Sequence, residues 1–380
     1  MEPEARRGWR TTMAPRPPDE PHRSATPLEL LFDLCFVVAV AQASSFLHHG
    51  LAEGAVGHSV LSYLQVFFGI WWAWMNFTWF ASAYDCDDVP YRLTTLVQIA
   101  GALILAAGIP SAFDDANLAI VTLGYVLMRL AMVTQWLRAA RSDPARRRTD
   151  LRYALGITIT QIGWIARLWL PQEYFAAGFG VLVAAELLVP VFAERAEVTP
   201  WHPRHIAERY GLFTLIVLGE SILSATLAIE AGVDTGIPAD RLVPLVAGGL
   251  VIVFAMWWLY FDRSDWELLT SLRRAIFWGY GHYVVFASAA AVGAGLAVAA
   301  DHVTHTGHLS DRAAGYAVAV PVAVYLTSVF VLHAWPHRRG AVVVAYPAAV
   351  LLVLLAPLVG AAVPVVAAIL AALVAVVVLN

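Results

Sequence analysis

The sequence predicts an all-α, polytopic membrane protein of about twelve transmembrane helices, and three observations carry that expectation. Of its 380 residues 60% are hydrophobic and only 14% are charged, where a soluble domain carries about a quarter. Apolar runs of span length, which is roughly 20 residues, recur along the whole chain. These runs are long and do not alternate, which argues against the strands of a barrel. Cys35 and Cys86 give no disulfide framework.

Taken in order, residues 1–27 are polar and rich in proline and arginine and read as a disordered cytosolic tail. The first apolar run carries acidic residues and lacks a clean cleavage site, so it reads as a retained span rather than a signal peptide. A first six-helix membrane repeat, residues 28–193, holds runs at 28–47, 60–81, 93–109, 117–137, 151–170 and 175–193. Residues 194–205 form a cytosolic linker. A second repeat, residues 206–379, holds runs at 206–229, 242–260, 275–299 and 314–334, then a very apolar final hairpin at 341–357 and 361–379. As one helix the stretch from Ala341 to Leu379 would be about 58 Å long, too long for a single crossing of a roughly 30 Å core. Pro357 and Gly360 supply a turn. Counts of ten or eleven spans are the alternatives.

The chain has no lysine, and 20 of its 24 arginines fall on the N-terminal side of this topology. Arg241 and Arg312 fall on the other side, and Arg129 and Arg167 lie within spans. By the positive-inside rule both termini are expected in the cytosol. The inner segment RAARSDPARRR, residues 138–148, reads as a topology anchor beside anionic lipid. His302, His305 and His308 recur by threes in an outer segment; an ordinary wet loop is the simpler reading than a metal or pH-sensing site. No basic domain suggests nucleic acid. No cofactor or metal is implied, and homo-oligomers are compatible with all of this.

The two halves show a faint likeness in parallel order. Glu29 opens the first run and Glu208 the seventh; FFGIWWAWMNF (Phe67 to Phe77) in the second run matches VFAMWWLYFD (Val253 to Asp262) in the eighth. This suggests duplication of a six-span unit, a parallel 6+6 repeat. Trp71, Trp72 and Trp74 cover nearly a whole helical turn, so at least one is expected to face protein rather than an interfacial belt.

Three stretches resemble a known family: HRSATPLELLFDLCFVVAVAQ (His22 to Gln42), WWAWMNFTWFASAYDCDD (Trp71 to Asp88) and RHIAERYGLFTLIVLGESI (Arg204 to Ile222). Together, and in this order, they are similar to the bacterial low-temperature-requirement A family. The resemblance implies a multi-pass protein of the bacterial inner membrane and brings no settled biochemical activity. A second, weaker similarity joins Leu28, Glu29, Asp33 and Phe36 to the first helix of endolysosomal and bacterial potassium channels built from six-helix repeats. Here Phe32-Asp33 stands where that family has Phe-Ser-Asp, and the second half lacks the aspartate.

Charged groups inside apolar runs are costly and mark functional or structural ion pairs. Glu29 and Asp33 lie four apart, on one face of the first helix. Glu29 sits in an opening turn, where the helix dipole favours an acid. Glu220 lies well inside the seventh run, Glu186 in the sixth and Arg129 midway through the fourth. A buried network of Asp33, Arg129 and Glu220 is the expected polar core. His282, between Gly279, Gly281 and aromatic neighbours, is the best placed protonatable relay, with a packing histidine as the plainer reading. Arg167 is expected to snorkel. The acids Asp85, Asp87 and Asp88 read as solvated loop charges. No zinc-protease, phosphate-loop or nucleophile-elbow motif supports an enzyme. The leading expectation is a transporter or channel-like protein for a small ion or solute, its path drawn from Glu29, Asp33, Arg129, Glu186, Glu220 and His282. A membrane scaffold or assembly factor for growth in the cold, and a membrane-embedded lipid-modifying enzyme, are the alternatives.

Overall fold

The computed structural model describes residues 9–21, 23–114, 117–234, 238–262, 265–304, 309–335 and 340–380. Its elements are α1 (Pro27–Ala52), α2 (Val56–Tyr84), α3 (Val89–Ala107), the short α4 (Ile109–Asp114), α5 (Ala119–Ser142), α6 (Arg147–Arg167) and α7 (Phe175–Ala193). Then come α8 (Pro203–Asp234), α9 (Ala239–Phe261), α10 (Leu272–Val303), α11 (Asp311–Val329), α12 (Val342–Leu355) and α13 (Ala362–Leu379). The protein is an all-α, membrane-like, multi-pass helical bundle. Among the described residues eight helices are long and apolar enough to cross a membrane: α1, α3, α5, α7, α9, α10, α11 and α13. The helix α12 is apolar but shorter.

Local chemistry explains the helix ends. The Asp88 carboxylate accepts the Tyr91 N–H at 2.9 Å and caps α3, with Pro90 in its first turn, where a missing N–H costs nothing. Ser310 caps α11 in the same way. The expected turn before the last helix is present: a short 3₁₀ turn over Ala356–Leu358 leads to Gly360 and Ala361, both at positive φ.

The chain divides into two compact units. The first comprises Met1–Ala39 and Gly69–Arg209, the second Val40–Phe68 and Tyr210–Asn380, so the boundaries fall inside α1, α2 and α8.

In the first unit α3 lies along α5, α5 along α6 and α6 along α7. Gly124 makes the α3–α5 approach possible. A Cβ there would lie 2.4 Å from the Leu105 nitrogen and 2.5 Å from the Gly101 carbonyl oxygen. Trp71, Trp72 and Trp74 are all buried, so the whole triplet packs into protein. Its outer surface is aliphatic, with Leu123, Ile159, Ile162 and Val181 well exposed, as suits contact with lipid.

The N-terminal stretch, expected to be disordered, packs on this unit. Met13 is fully buried, the Thr11 N–H donates to Asp88 at 2.8 Å, and the Arg16 N–H donates to the Ala83 carbonyl at 2.9 Å.

In the second unit α10 packs along α11, α9 along α13 and α11 along α12. The α10 stretch from Ser288 to Ala300 is almost wholly alanine, glycine and valine, and it is buried throughout. A Cβ on Gly295 would lie 2.1 Å from the Ala317 carbonyl oxygen, so only glycine fits that crossing. Ser44 and Tyr63 donate to the carbonyls of Ala290 and Ala287. Trp257 and Trp258, matched by sequence to Trp71 and Trp72, are both half-exposed.

Candidate functional site

The densest buried charge lies in the first unit, where α1, α3 and α8 begin and α2 ends. Glu29 and Asp33 occupy one face of α1. His205 and Arg209, also four residues apart, occupy one face of α8. The faces are complementary. Arg209 grips Asp33 with both arms, Nε to Oδ2 at 2.8 Å and Nη2 to Oδ1 at 2.5 Å, and the Trp74 indole N–H donates to Oδ1 at 2.7 Å. Asp33 is thereby charge-matched in a fork geometry. Glu29 is held differently. Its Oε2 accepts the Thr26 N–H at 2.7 Å; its Oε1 lies 3.1 Å from Arg209 Nη1, 3.2 Å from His205 Nε2 and 3.8 Å from Arg23. None of these close approaches to Oε1 has hydrogen-bond geometry. Oε1, Arg209 Nη1 and both ring nitrogens of His205 are buried without hydrogen bonds. Glu29, His205 and Arg209 are fully shielded from solvent.

An outer tier joins this group to the segment between α2 and α3. Arg23 lies 3.8 Å from Asp85 and donates to the Ala81 carbonyl; Arg16 lies 3.9 Å from Asp85. Burial, reinforced by the negative charge of Glu29, pushes the Asp85 carboxyl up to about 6 against the pull of Arg23 and Arg16. At Asp88 burial is outweighed by Arg138 and by the N–H groups of Thr11 and Tyr91, which hold the carboxyl down at about 2. The expectation of solvated loop charges fails here: Asp85 and Asp88 are buried, and Asp87, which pairs with Arg92 at 2.7 Å, fits it best.

The second buried ion pair, also in the first unit, is Arg129 with Glu186. Glu186 accepts from Arg129 at 3.0 Å, Trp72 at 2.9 Å, Tyr125 at 2.9 Å, Thr160 at 3.0 Å, Gln161 at 2.9 Å and Trp164 at 3.2 Å. One carboxylate therefore ties together α2, α5, α6 and α7. The expected network of Asp33, Arg129 and Glu220 is replaced: Arg129 takes Glu186, and Asp33 takes Arg209. Glu220 is a buried residue of α8 in the second unit. Arg167, expected to snorkel, is buried and donates to the Phe175 carbonyl. Gln98 and Gln135 bond each other between α3 and α5.

His282 is in the second unit. Its Nδ1 lies 2.7 Å from the Trp278 carbonyl and its Nε2 lies 2.9 Å from the Tyr260 hydroxyl. This pattern fits a neutral ring that donates from Nδ1 and accepts at Nε2. His333, on a π-helical turn over Phe330–Ala334, lies with its ring tilted 5.4 Å from that of His282 and 4.7 Å from that of Tyr260. Of the outer histidines, His302 pairs with Asp311 at 2.9 Å; His305 and His308 lie outside the described residues.

Sequence reasoning missed Arg209, His205, Arg23 and Trp74. The signal was present: His205 and Arg209, both basic residue types, repeat the four-residue spacing of the acids Glu29 and Asp33. In the sequence Arg209 stands out only as one of the 20 arginines on the N-terminal side of the topology.

Comparison with known proteins gives a family but no described activity. The family model "Bacterial low temperature requirement A protein (LtrA)" matches residues 24–379. An uncharacterized protein of Rhizobium meliloti (strain 1021) is 28% identical over 247 residues, covering 62% of this chain and 58% of that protein. The chain thus aligns with less than two thirds of that relative's length. No solved structure matches. The near full-length family match makes this chain a member of the bacterial low-temperature-requirement A family.

Proposed function

We propose that this protein moves a small ion or solute across the bacterial inner membrane, as a transporter or channel, through the buried polar group around Glu29, Asp33, His205 and Arg209. The observation that carries this reading is the incomplete hydrogen bonding of Glu29, His205 and Arg209. Natural interiors leave few such atoms unsatisfied, and a group with spare donors and acceptors has capacity for a passing ion. Glu186 accepts from six groups and serves as a fastening, although Arg129 Nε and Nη1 beside it are also buried without hydrogen bonds. What sets the Glu29 group apart is that the carboxylate oxygen itself, Glu29 Oε1, lacks an aligned donor.

In this reading the chain crosses the membrane twelve times with both termini in the cytosol, beside anionic lipid. Among the described residues eleven long helices, the eight more apolar ones with α2, α6 and α8, fall on eleven of the twelve apolar runs, and the shorter α12 falls on the twelfth. A parallel 6+6 repeat is supported by packing order. The third, fourth, fifth and sixth helices of each half, α3, α5, α6, α7 and α10, α11, α12, α13, pack successively in the same sequence.

Reconstitution tests the proposal. Potassium and proton flux under an imposed voltage is expected from the purified protein. Asp33→Asn and Glu29→Gln proteins that retain the helical signal and the elution volume of the parent are expected to lose it. Vesicles that stay as tight as empty ones, at both voltage signs and for both ions, would remove ion movement from consideration and direct attention to solutes.

A further inference from the structure

The N-terminal stretch is short, extended and rich in proline, with no helix or strand of its own over residues 11–21. Such a segment stays in place only through contacts made along its length, and here they are numerous. At its start the Thr11 N–H donates to Asp88, while Arg138 donates both to Asp88 and to the Thr11 carbonyl. Two residues on, Met13 is completely buried. The Arg16 backbone N–H takes the Ala83 carbonyl at the end of α2, where an unpaired helix carbonyl needs a donor. The Arg16 side chain donates to Glu20 at 3.0 Å and lies 3.9 Å from Asp85. The Glu20 carbonyl in turn lies 3.0 Å from His202 Nε2, just before α8. The stretch therefore runs from the start of α3, past the end of α2, to the start of α8. Those are three of the four helix ends that surround the Glu29–Arg209 group.

We infer that residues 11–21 form a strap that docks across this end of the first unit and closes the approach to the buried charges. Met13 is its anchor and Arg16 its latch on Asp85. When the strap lifts, Met13 leaves its pocket, the Ala83 carbonyl and Asp85 rehydrate, and Glu29 becomes reachable from the aqueous side. Undocking exchanges a small apolar anchor and a few polar contacts for chain freedom, which places it among low-cost local openings rather than global unfolding. The closure is a property of the fold and does not depend on what passes through the site.

Cys86 gives a direct readout, since its thiol is half-buried and within hydrogen-bonding reach of Thr11. In a Cys35→Ser background, a membrane-impermeant maleimide is expected to label Cys86 slowly. Met13→Asp, which puts a charge at the fully buried anchor position, is expected to accelerate labelling by more than about tenfold at an unchanged unfolding temperature. Arg16→Ala is expected to accelerate it less, with Arg16→Lys restoring most of the protection. In the same background, Thr11→Cys is expected to form a disulfide with Cys86 on mild oxidation. Labelling of Cys86 as fast as a short cysteine peptide, untouched by Met13→Asp, together with no Thr11→Cys crosslink, would overturn the strap. Flux through the crosslinked protein, before and after reduction, then reports on gating separately. A crosslink that forms while no variant ever shows flux would retain the strap and sink only the transport reading.

Discussion

The two compact units solve the same packing problem with different chemistry. The first buries full charges and matches them: Asp33 in the fork of Arg209, and Glu186 under six donors that include Arg129. The second unit's best-defined polar cluster is uncharged, a neutral His282 between Tyr260 and the Trp278 carbonyl, with the tilted ring of His333 beside it. Around α10 the second unit relies on backbone proximity, through Gly295 and a run of alanines. Charge fixes which helices meet in the first unit because an unmatched carboxylate inside an apolar slab is intolerable. Small residues fix the α10 crossings of the second because van der Waals contact grows only when backbones come close, a device the first unit uses as well, at the α3–α5 approach of Gly124.

That contrast predicts a hierarchy of mutational costs. The largest belongs to Arg129→Leu, which leaves Glu186 buried without its cation. Breaking one side of a buried pair costs about 3–5 kcal/mol, and thermal unfolding in detergent is expected to register it as a collapse of the midpoint. Arg129→Lys keeps the charge but loses the planar fork, so a smaller loss is expected. Pairing Arg129→Leu with Glu186→Leu should recover part of the deficit. If Arg129→Leu proved no worse than Arg129→Lys, charge would not be what holds the first unit.

The counterpart in the second unit is Gly295→Leu. Overpacking a tight site costs about 1–3 kcal/mol, and the approach to the Ala317 carbonyl leaves no room for relaxation by side-chain rotation. The same substitution at Gly219, where an added Cβ meets nothing within 4 Å, is expected to be nearly silent. Parity between the two sites would refute the close-approach account.

How far these features were legible in the sequence follows from their range. The helices were legible to within about five residues at their ends, the short α4 apart, because apolar length is a local property. Glu29 and Asp33 were legible as a pair because four residues separate them. Their partner Arg209 stands 176 positions from Asp33, and a lone chain offers no signal at that range except the echo of spacing in His205 and Arg209. Asp85 and Asp88 looked hydrated because three acids in a short connection usually are. What buries them is the strap and the α2–α3 corner, and a Pro- and Arg-rich stretch such as residues 11–21 carries the composition of disorder.

A gentler probe separates the units further. Tyr260→Phe removes one neutral hydrogen bond to His282 without leaving a charge behind. Such bonds inside membrane bundles are worth about 1 kcal/mol or less, so a shift of the unfolding midpoint well below that of Gly295→Leu is expected. A loss as large as that of Arg129→Leu would mean that His282 is charged, and the two units would no longer differ in kind.

The smallest effect concerns the strap and pH, and its sign is opposite to what the Arg16–Asp85 contact alone suggests. Protonating Asp85 weakens its attraction for Arg16, which by itself would release the strap in acid. Burial acts the other way and is the larger influence, since the carboxyl stands at about 6 in the docked form against an ordinary 3.8. The groups around it are Arg16 on the strap, Arg23 and Glu29 at the start of α1, the Asp87 N–H in the same turn, and Tyr91 on α3. Lifting the strap rehydrates Asp85 and returns its carboxyl toward the ordinary value. The docked form therefore holds the proton more tightly, and by linkage docking strengthens as pH falls from about 6 towards 4. Only part of the elevation is due to the strap, because Glu29 and the α2–α3 corner remain when it leaves, so a change of about threefold in opening is expected. Cys86 labelling, normalised at each pH to a free cysteine peptide, should slow by that factor between pH 7 and pH 5. Asp85→Asn, which cannot titrate, should show a flat profile. A rate that instead rises in acid would make the ion pair the dominant latch and burial the lesser influence at this end of the first unit.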